Sequence, residues 1–193
     1  MSTQSNKSVN IKRIVVTAML IGLGTALSLI RWQMPLGGEI TLLSMLPIAL
    51  ISIEYGIGWG LVGSFVFSLI QLGLQFGMLA SWGLSAAMFV GSIVFDYIIA
   101  YTAIGLSGIF RKKGVVGICL GIFIALLVRF CSHIVSGTIF FASFMPEGWN
   151  NPLLYSICYN GIYMLPEFAL TTIGAVVLFK TPSFNKLVSG NLK

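Results

Sequence analysis

Residues 126–141 read LLVRFCSHIVSGTIFF, a stretch apolar enough to lie in a bilayer that nevertheless carries Arg129 and His133, the chain's single histidine. Ionisable side chains at membrane depth are costly and mark a pathway, a relay or a ligand site. Arg129 and His133 stand four apart, so on a helix they share one face, which Ser136, Gly137 and Phe140 continue. A polar stripe beside a small-residue gap is a surface shown to a solute or to a neighbouring helix. The rest of the chain reads as the container for that stripe.

Composition sets the class. Of 193 residues, 57% are hydrophobic and only 8% charged, against about 25% charged in an average soluble domain. One helical bundle in a membrane fits this length. The formal net charge of +6 is clustered: Lys7, Lys12 and Arg13 precede the first apolar run, residues 111–113 (RKK) sit mid-chain, and Lys180, Lys186 and Lys193 close it. Basic clusters that flank apolar spans mark cytoplasmic loops rather than a nucleic-acid surface. Cys119, Cys131 and Cys158 fall inside apolar runs without CxxC or Cys/His ligand spacing, which argues against a disulfide scaffold and a metal site. The basic, then apolar, N-terminus resembles a signal peptide but lacks a small-x-small cleavage site, so it reads as a retained first helix.

A spanning helix needs about 20 mainly apolar residues. Six such spans are expected, over residues 11–30, 40–53, 57–77, 84–110, 115–141 and 153–179. The fold class is therefore an all-α integral membrane protein with one transmembrane domain over 11–180. A polar, unstructured tail is expected at 1–10 and a second tail at 181–193. The second span is short and contains Pro47, which predicts a kinked or partly re-entrant segment. With both termini cytoplasmic, every basic cluster lies inside, and the outer loops 31–39, 78–83 and 142–152 carry one basic residue, Arg31. Ala18, Gly22 and Ala26 form a small-xxx-small seam on the first span, suited equally to internal packing or to docking another helix.

Asp96, Arg129, His133, Asn160 and Glu167 are the polar groups the spans must tolerate. Asp96 and Arg129 each fall about 18 Å from the outer ends of their helices, so they can meet in one pocket open to the outside. Phe140, Phe141, Tyr97 and Tyr155 supply aromatic walls. An apolar, aromatic pocket with a few convergent polar groups is a small-molecule site. A carboxylate beside aromatic faces suits a flat cation. A buried Asp96–Arg129 ion pair holding the bundle together is the structural alternative. Glu167, next to Pro166 on the inner half, reads as a partner to a broken helix. No HExxH, GxSxG or P-loop pattern is present, so active transport would draw on partner subunits or an ion gradient.

The segments MPLGGEITLLSMLPI (34–48), FDYIIAYTAIGLSGIFRK (95–112), RFCSHIVSGTIFF (129–141) and PEGWNNPLLYSICYNGIYMLPE (146–167) together resemble the thiamine-specific substrate-binding subunits (S components) of energy-coupling factor (ECF) transporters, the YuaJ-type thiamine transporter family. The resemblance implies an S-component bundle in the bacterial plasma membrane, not an enzyme. It would bind thiamine (vitamin B1) from outside with high affinity, need no cofactor of its own, and join an EcfT-like coupling subunit and two EcfA-like ATPases that use ATP. It implies substrate contacts from Asp96 and Tyr97 on the fourth helix, and from Arg129, His133, Gly137 and Phe141 on or just after the fifth. Tyr155 and Asn160 would contribute from the sixth, and Ala18 and Gly22 would dock the coupling subunit. Some members carry glutamate, lysine and tryptophan where this chain has Asp96, Arg129 and Phe141. Trp32 is the candidate first-loop aromatic. The alternatives are an S component for a related vitamin or thiamine precursor, a stand-alone proton-coupled carrier using Asp96, His133 and Glu167, and an intramembrane enzyme.

Overall fold

The computed structural model describes residues 2–184, so Lys186, Lys193 and the rest of the expected tail from residue 185 lie outside it. Six principal helices account for the described chain: α1 (Ser2–Ser28), α2 (Met45–Tyr55), α3 (Ile57–Ser81), α4 (Ala86–Gly108), α5 (Gly114–Ile139) and α6 (Pro152–Lys180). All but α2 contain a run long and apolar enough to cross a membrane. The polar residues before Asn10, expected to be unstructured, continue α1. They include neither glycine nor proline, and a helix already formed over an apolar run propagates at little cost.

The second span differs most from expectation. Residues 39–41 are extended, and α2 begins only at Met45, giving 11 residues, about 16 Å of helix. Pro47 lies in its first turn, where a backbone N–H has no helical partner to lose, so no kink results. Met45, Ile48, Ala49, Ile51 and Ile53 are almost wholly buried. α2 is thus the central post of the bundle rather than a lipid-facing span. Gly60 of α3 sits against Ser52, and Gly63 against Ile51, so a glycine face of α3 packs on α2. Gly108 of α4 lies against the Ser52 carbonyl, and the Ser52 hydroxyl donates to the Gly105 carbonyl at 2.5 Å.

The first outer loop is an antiparallel hairpin, β1 (Arg31–Gln33) with β2 (Glu39–Thr41), in register Arg31–Thr41, Trp32–Ile40 and Gln33–Glu39. Gly37 (φ 103°) and Gly38 (φ 74°) turn it through backbone angles that disfavour side chains. An ion pair of 3.0 Å joins Arg31 to Glu39.

Large apolar side chains cover the outside of the bundle, among them Met19, Val62, Val116, Leu165 and Ile173, each more than half exposed. Such a surface is a lipid surface. Apart from Arg31 of the hairpin and the buried Arg129, the basic groups of the described helices gather at one end. Arg13 lies over the Tyr55 ring at 5.8 Å, and Arg111 donates to the carbonyls of Ile53 and Glu54 at the end of α2. The hairpin and the α3–α4 and α5–α6 loops occupy the opposite end. By the positive-inside rule the basic end faces the cytoplasm.

Candidate functional site

α4 is not a uniform helix. Ile93–Ile99 is a π-helical segment and Ala103–Gly108 a 3-10 segment. A π turn inside an α-helix is rare and concentrates at functional sites. Its wider turn reduces the angular step between successive side chains, and Asp96 and Tyr97, neighbours in sequence, both face the same cavity. The Ser132 hydroxyl of α5 donates to the Phe95 carbonyl at 2.6 Å, satisfying an acceptor in the distorted turn.

That cavity, about 460 Å3, opens between α4, α5 and α6 at the end opposite the basic cluster. Seven of the eight residues expected to bind substrate line it: Asp96, Tyr97, His133, Gly137, Phe141, Tyr155 and Asn160. Asp96 is its charged centre. One carboxylate oxygen takes hydrogen bonds from Ser92 (2.9 Å) and Ser136 (2.6 Å), and the other meets His133 Nδ1 at 2.9 Å. The side chain keeps 22% of its surface accessible, so the carboxylate is held by its neighbours yet open toward the cavity.

The eighth residue, Arg129, does not line the cavity. It is 5% exposed, its Nε donates to His133 Nε2 at 3.3 Å, and its guanidinium lies 4.2 Å from the centre of the Tyr101 ring. A third contact runs from Nη1 to the Met45 sulfur at 3.0 Å. The Asp96–Arg129 ion pair considered from the sequence is absent: the partner of Asp96 is His133, and the arginine stands behind the histidine. Its long side chain turns inward to an aromatic face and a polarisable sulfur, which satisfy a buried cation without a carboxylate.

Aromatic side chains close the walls. Trp82 and Phe141 meet edge to face at 6.1 Å, and Phe141 meets Phe144 at 6.0 Å. Down α6, Tyr155, Tyr159 and Tyr163 follow one another at 5.9 and 6.2 Å. Asn160 is fixed from both ends: its amide donates to the Ser156 carbonyl at 2.8 Å, and Tyr163 donates to its side-chain oxygen at 2.6 Å. Tyr97 donates to Gln75 of α3 at 3.2 Å. Gly137 admits the Ser156 hydroxyl against α5, a contact that any side chain would obstruct. The hairpin turn lies on the tyrosine wall, Gly37 against Tyr159 and Gly38 against Tyr163.

Sequence reasoning missed Trp82, Leu84, Ser92, Phe144, Ser156, Tyr159 and Tyr163 as cavity residues. Four-residue spacing carried that signal for four of them: Tyr159 and Tyr163 follow Tyr155, Ser92 precedes Asp96, and Ser156 precedes Asn160. Trp82 and Phe144 lie on loops, where spacing says nothing. Trp32 is 53% exposed and outside the lining. Glu167 accepts hydrogen bonds from the Thr41 amide (2.5 Å) and hydroxyl (2.7 Å). It ties the hairpin to an α6 that runs unbroken through Pro166, correcting its expected place beside a broken helix.

A multi-pass helical bundle with a carboxylate that no arginine or lysine contacts, under aromatic walls and open at one membrane face, defines a membrane transport protein with a solute cavity. The chain belongs to the thiamine transporter protein family (Thia_YuaJ), whose pattern it matches over residues 14–186. It is 32% identical over 192 residues to the thiamine transporter ThiT of Bacillus subtilis (strain 168), covering 91% of this chain and 94% of that one. Its fold matches the solved structure of ThiT from Listeria monocytogenes with a TM-score of 0.74 at 22% identity, covering 90% of this chain and 96% of that one. The family is one of bacterial plasma-membrane transporters, not of enzymes.

Proposed function

We propose that this protein is the substrate-capture subunit of an ECF-type transporter and binds thiamine with high affinity from the outer face of the plasma membrane. One observation carries the reading: the Asp96 carboxylate, touched by two serine hydroxyls and the His133 ring but by no arginine or lysine, faces an aromatic cavity. Thiamine joins a flat aminopyrimidine to a cationic thiazolium. The carboxylate supplies the opposite charge and an acceptor for the exocyclic amine, and the rings of Tyr97, Phe141 and Tyr155 supply stacking and cation–π attraction. Asn160 fixes a polar edge, Gly137 lets Ser156 and Asn160 of α6 close on α5 at the cavity wall, and His133 orients Asp96.

Release to the cytoplasm is assigned to partner subunits, an EcfT-like coupling protein and two EcfA-like ATPases, because the chain has no nucleotide-binding loop. Ala18 and Gly22 support a docking role. Both lie on the exposed side of α1, and a Cβ at Gly22 would meet nothing within 4 Å. Internal packing uses the other side, where Gly24 abuts Ile48 and Ser44. The proton-carrier alternative draws no support from Glu167, which is committed to Thr41 rather than joined to the Asp96–His133 pair.

The test is competition for the site followed by reconstitution. Thiamine should displace a bound label, while riboflavin and biotin should not; a stronger response to hydroxymethylpyrimidine would point instead to a precursor transporter. Liposomes with this chain alone should not accumulate thiamine under a proton gradient. Accumulation there would overturn the ECF assignment.

A further inference from the structure

Arg129 bears on ligand binding without touching the cavity. An arginine Nε is always a donor, so the 3.3 Å contact makes His133 Nε2 the acceptor. The single ring proton must then sit on Nδ1, which donates to Asp96 at 2.9 Å. The hydrogen-bond pattern thereby fixes both the tautomer and the charge of the ring. We infer that Arg129 is a positioning residue that holds His133 as the neutral Nδ1–H tautomer, so that Asp96 keeps its negative charge free for a cationic ligand.

The logic concerns competition between cations. A protonated His133 would be a permanent counter-ion for Asp96, and a cationic ligand would have to displace it. Protonation requires the Nε2 lone pair, which the Arg129 N–H already occupies. Arg129 cannot take over as counter-ion, because it is held away from Asp96 by Tyr101 and the Met45 sulfur. Among the described residues, no carboxylate lies within ion-pairing distance of its guanidinium. The other titratable groups facing the Asp96–His133–Arg129 array are Tyr97 and Tyr101 on α4, and Tyr155, Tyr159, Tyr163 and Glu167 on α6. Glu167 is bonded to Thr41 and not to this array. The inference rests on the proposed cationic ligand for its purpose, but its chemistry can be read without any ligand.

The single histidine makes the reading direct. In detergent-purified protein labelled with 15N-histidine, the ring should show a protonated Nδ1 and an unprotonated Nε2, unchanged between about pH 5.5 and pH 8. In Arg129→Met the ring should acquire a second proton as the pH falls through that range, and Arg129→Lys, which restores a donor, should suppress this. Thiamine affinity should be flat with pH in the wild type and fall by about tenfold toward the acidic end in Arg129→Met. An Nε2–H tautomer or an imidazolium in the wild type overturns the inference even if Arg129→Met fails to fold, and so does an Arg129→Met ring that titrates as the wild type does. The expected tautomer in a protein that ignores thiamine supports the Arg129 assignment and overturns the ligand reading instead.

Discussion

Glu167 and Thr41 lie 126 positions apart in the chain, yet the Glu167 carboxylate takes both the backbone amide and the hydroxyl of Thr41, at 2.5 and 2.7 Å. A buried residue of α6 thus fastens the strand that leads out of the hairpin, whose turn rests on the tyrosines of the cavity wall. Removing the partner of a buried hydrogen-bonded group costs about 1–3 kcal/mol. Glu167→Ala should loosen the hairpin and accelerate ligand dissociation by about tenfold or more. Glu167→Gln keeps an acceptor for Thr41 and should dissociate nearly as slowly as the wild type. Stopped-flow tryptophan fluorescence reads both, and equal rates in Glu167→Ala and wild type would remove the hairpin from the exit path.

Gly137 stands where the Ser156 hydroxyl and Asn160 press against α5. A methyl group there meets the hydroxyl before the helices can separate. Overpacking of this kind costs about 1–3 kcal/mol, so Gly137→Ala should lower thermal stability and weaken ligand binding together. Gly22→Ala, placed where nothing lies within 4 Å, should leave both unchanged.

The exposed α1 seam separates capture from transport. Replacing Ala18 and Gly22 with leucine should leave thiamine titrations of the purified protein unaltered while abolishing uptake in cells and co-purification of the coupling subunit. Loss of binding in the isolated protein would show that the seam serves the fold.

Orientation is checked by labelling. A cysteine placed at Glu147, in the α5–α6 loop, should react with a membrane-impermeant maleimide in intact cells, and one at Lys113 should react only after lysis.

The long spans were legible because uninterrupted apolar runs of sufficient length have few other uses. α3, α5 and α6 fall close to their expected bounds, and seven of the eight expected substrate residues share one cavity. The hairpin was not legible: strands of three residues are too short to show alternation, and only Gly37-Gly38 announced the turn. Pro47 misled, since proline in a first turn and proline in a helix interior look alike until the helix start is known. Arg129 was placed on the correct face beside His133. Which way a long side chain bends from that face depends on Tyr101 and Met45, partners 28 and 84 positions away. The π turn at Asp96 had no sequence mark at all.

The central claim is that Asp96 is the counter-charge for bound thiamine. Trp82 lines the cavity and Trp149 packs on Tyr155 at 5.1 Å, so intrinsic fluorescence reports directly on occupancy. Titrating the purified protein with thiamine should give saturable quenching at nanomolar to micromolar concentrations. In Asp96→Ala the response should weaken by about a hundredfold or more, as expected when a charge-assisted contact and its Coulombic attraction are both removed. Wild-type quenching that persists undiminished in Asp96→Ala would contradict the account.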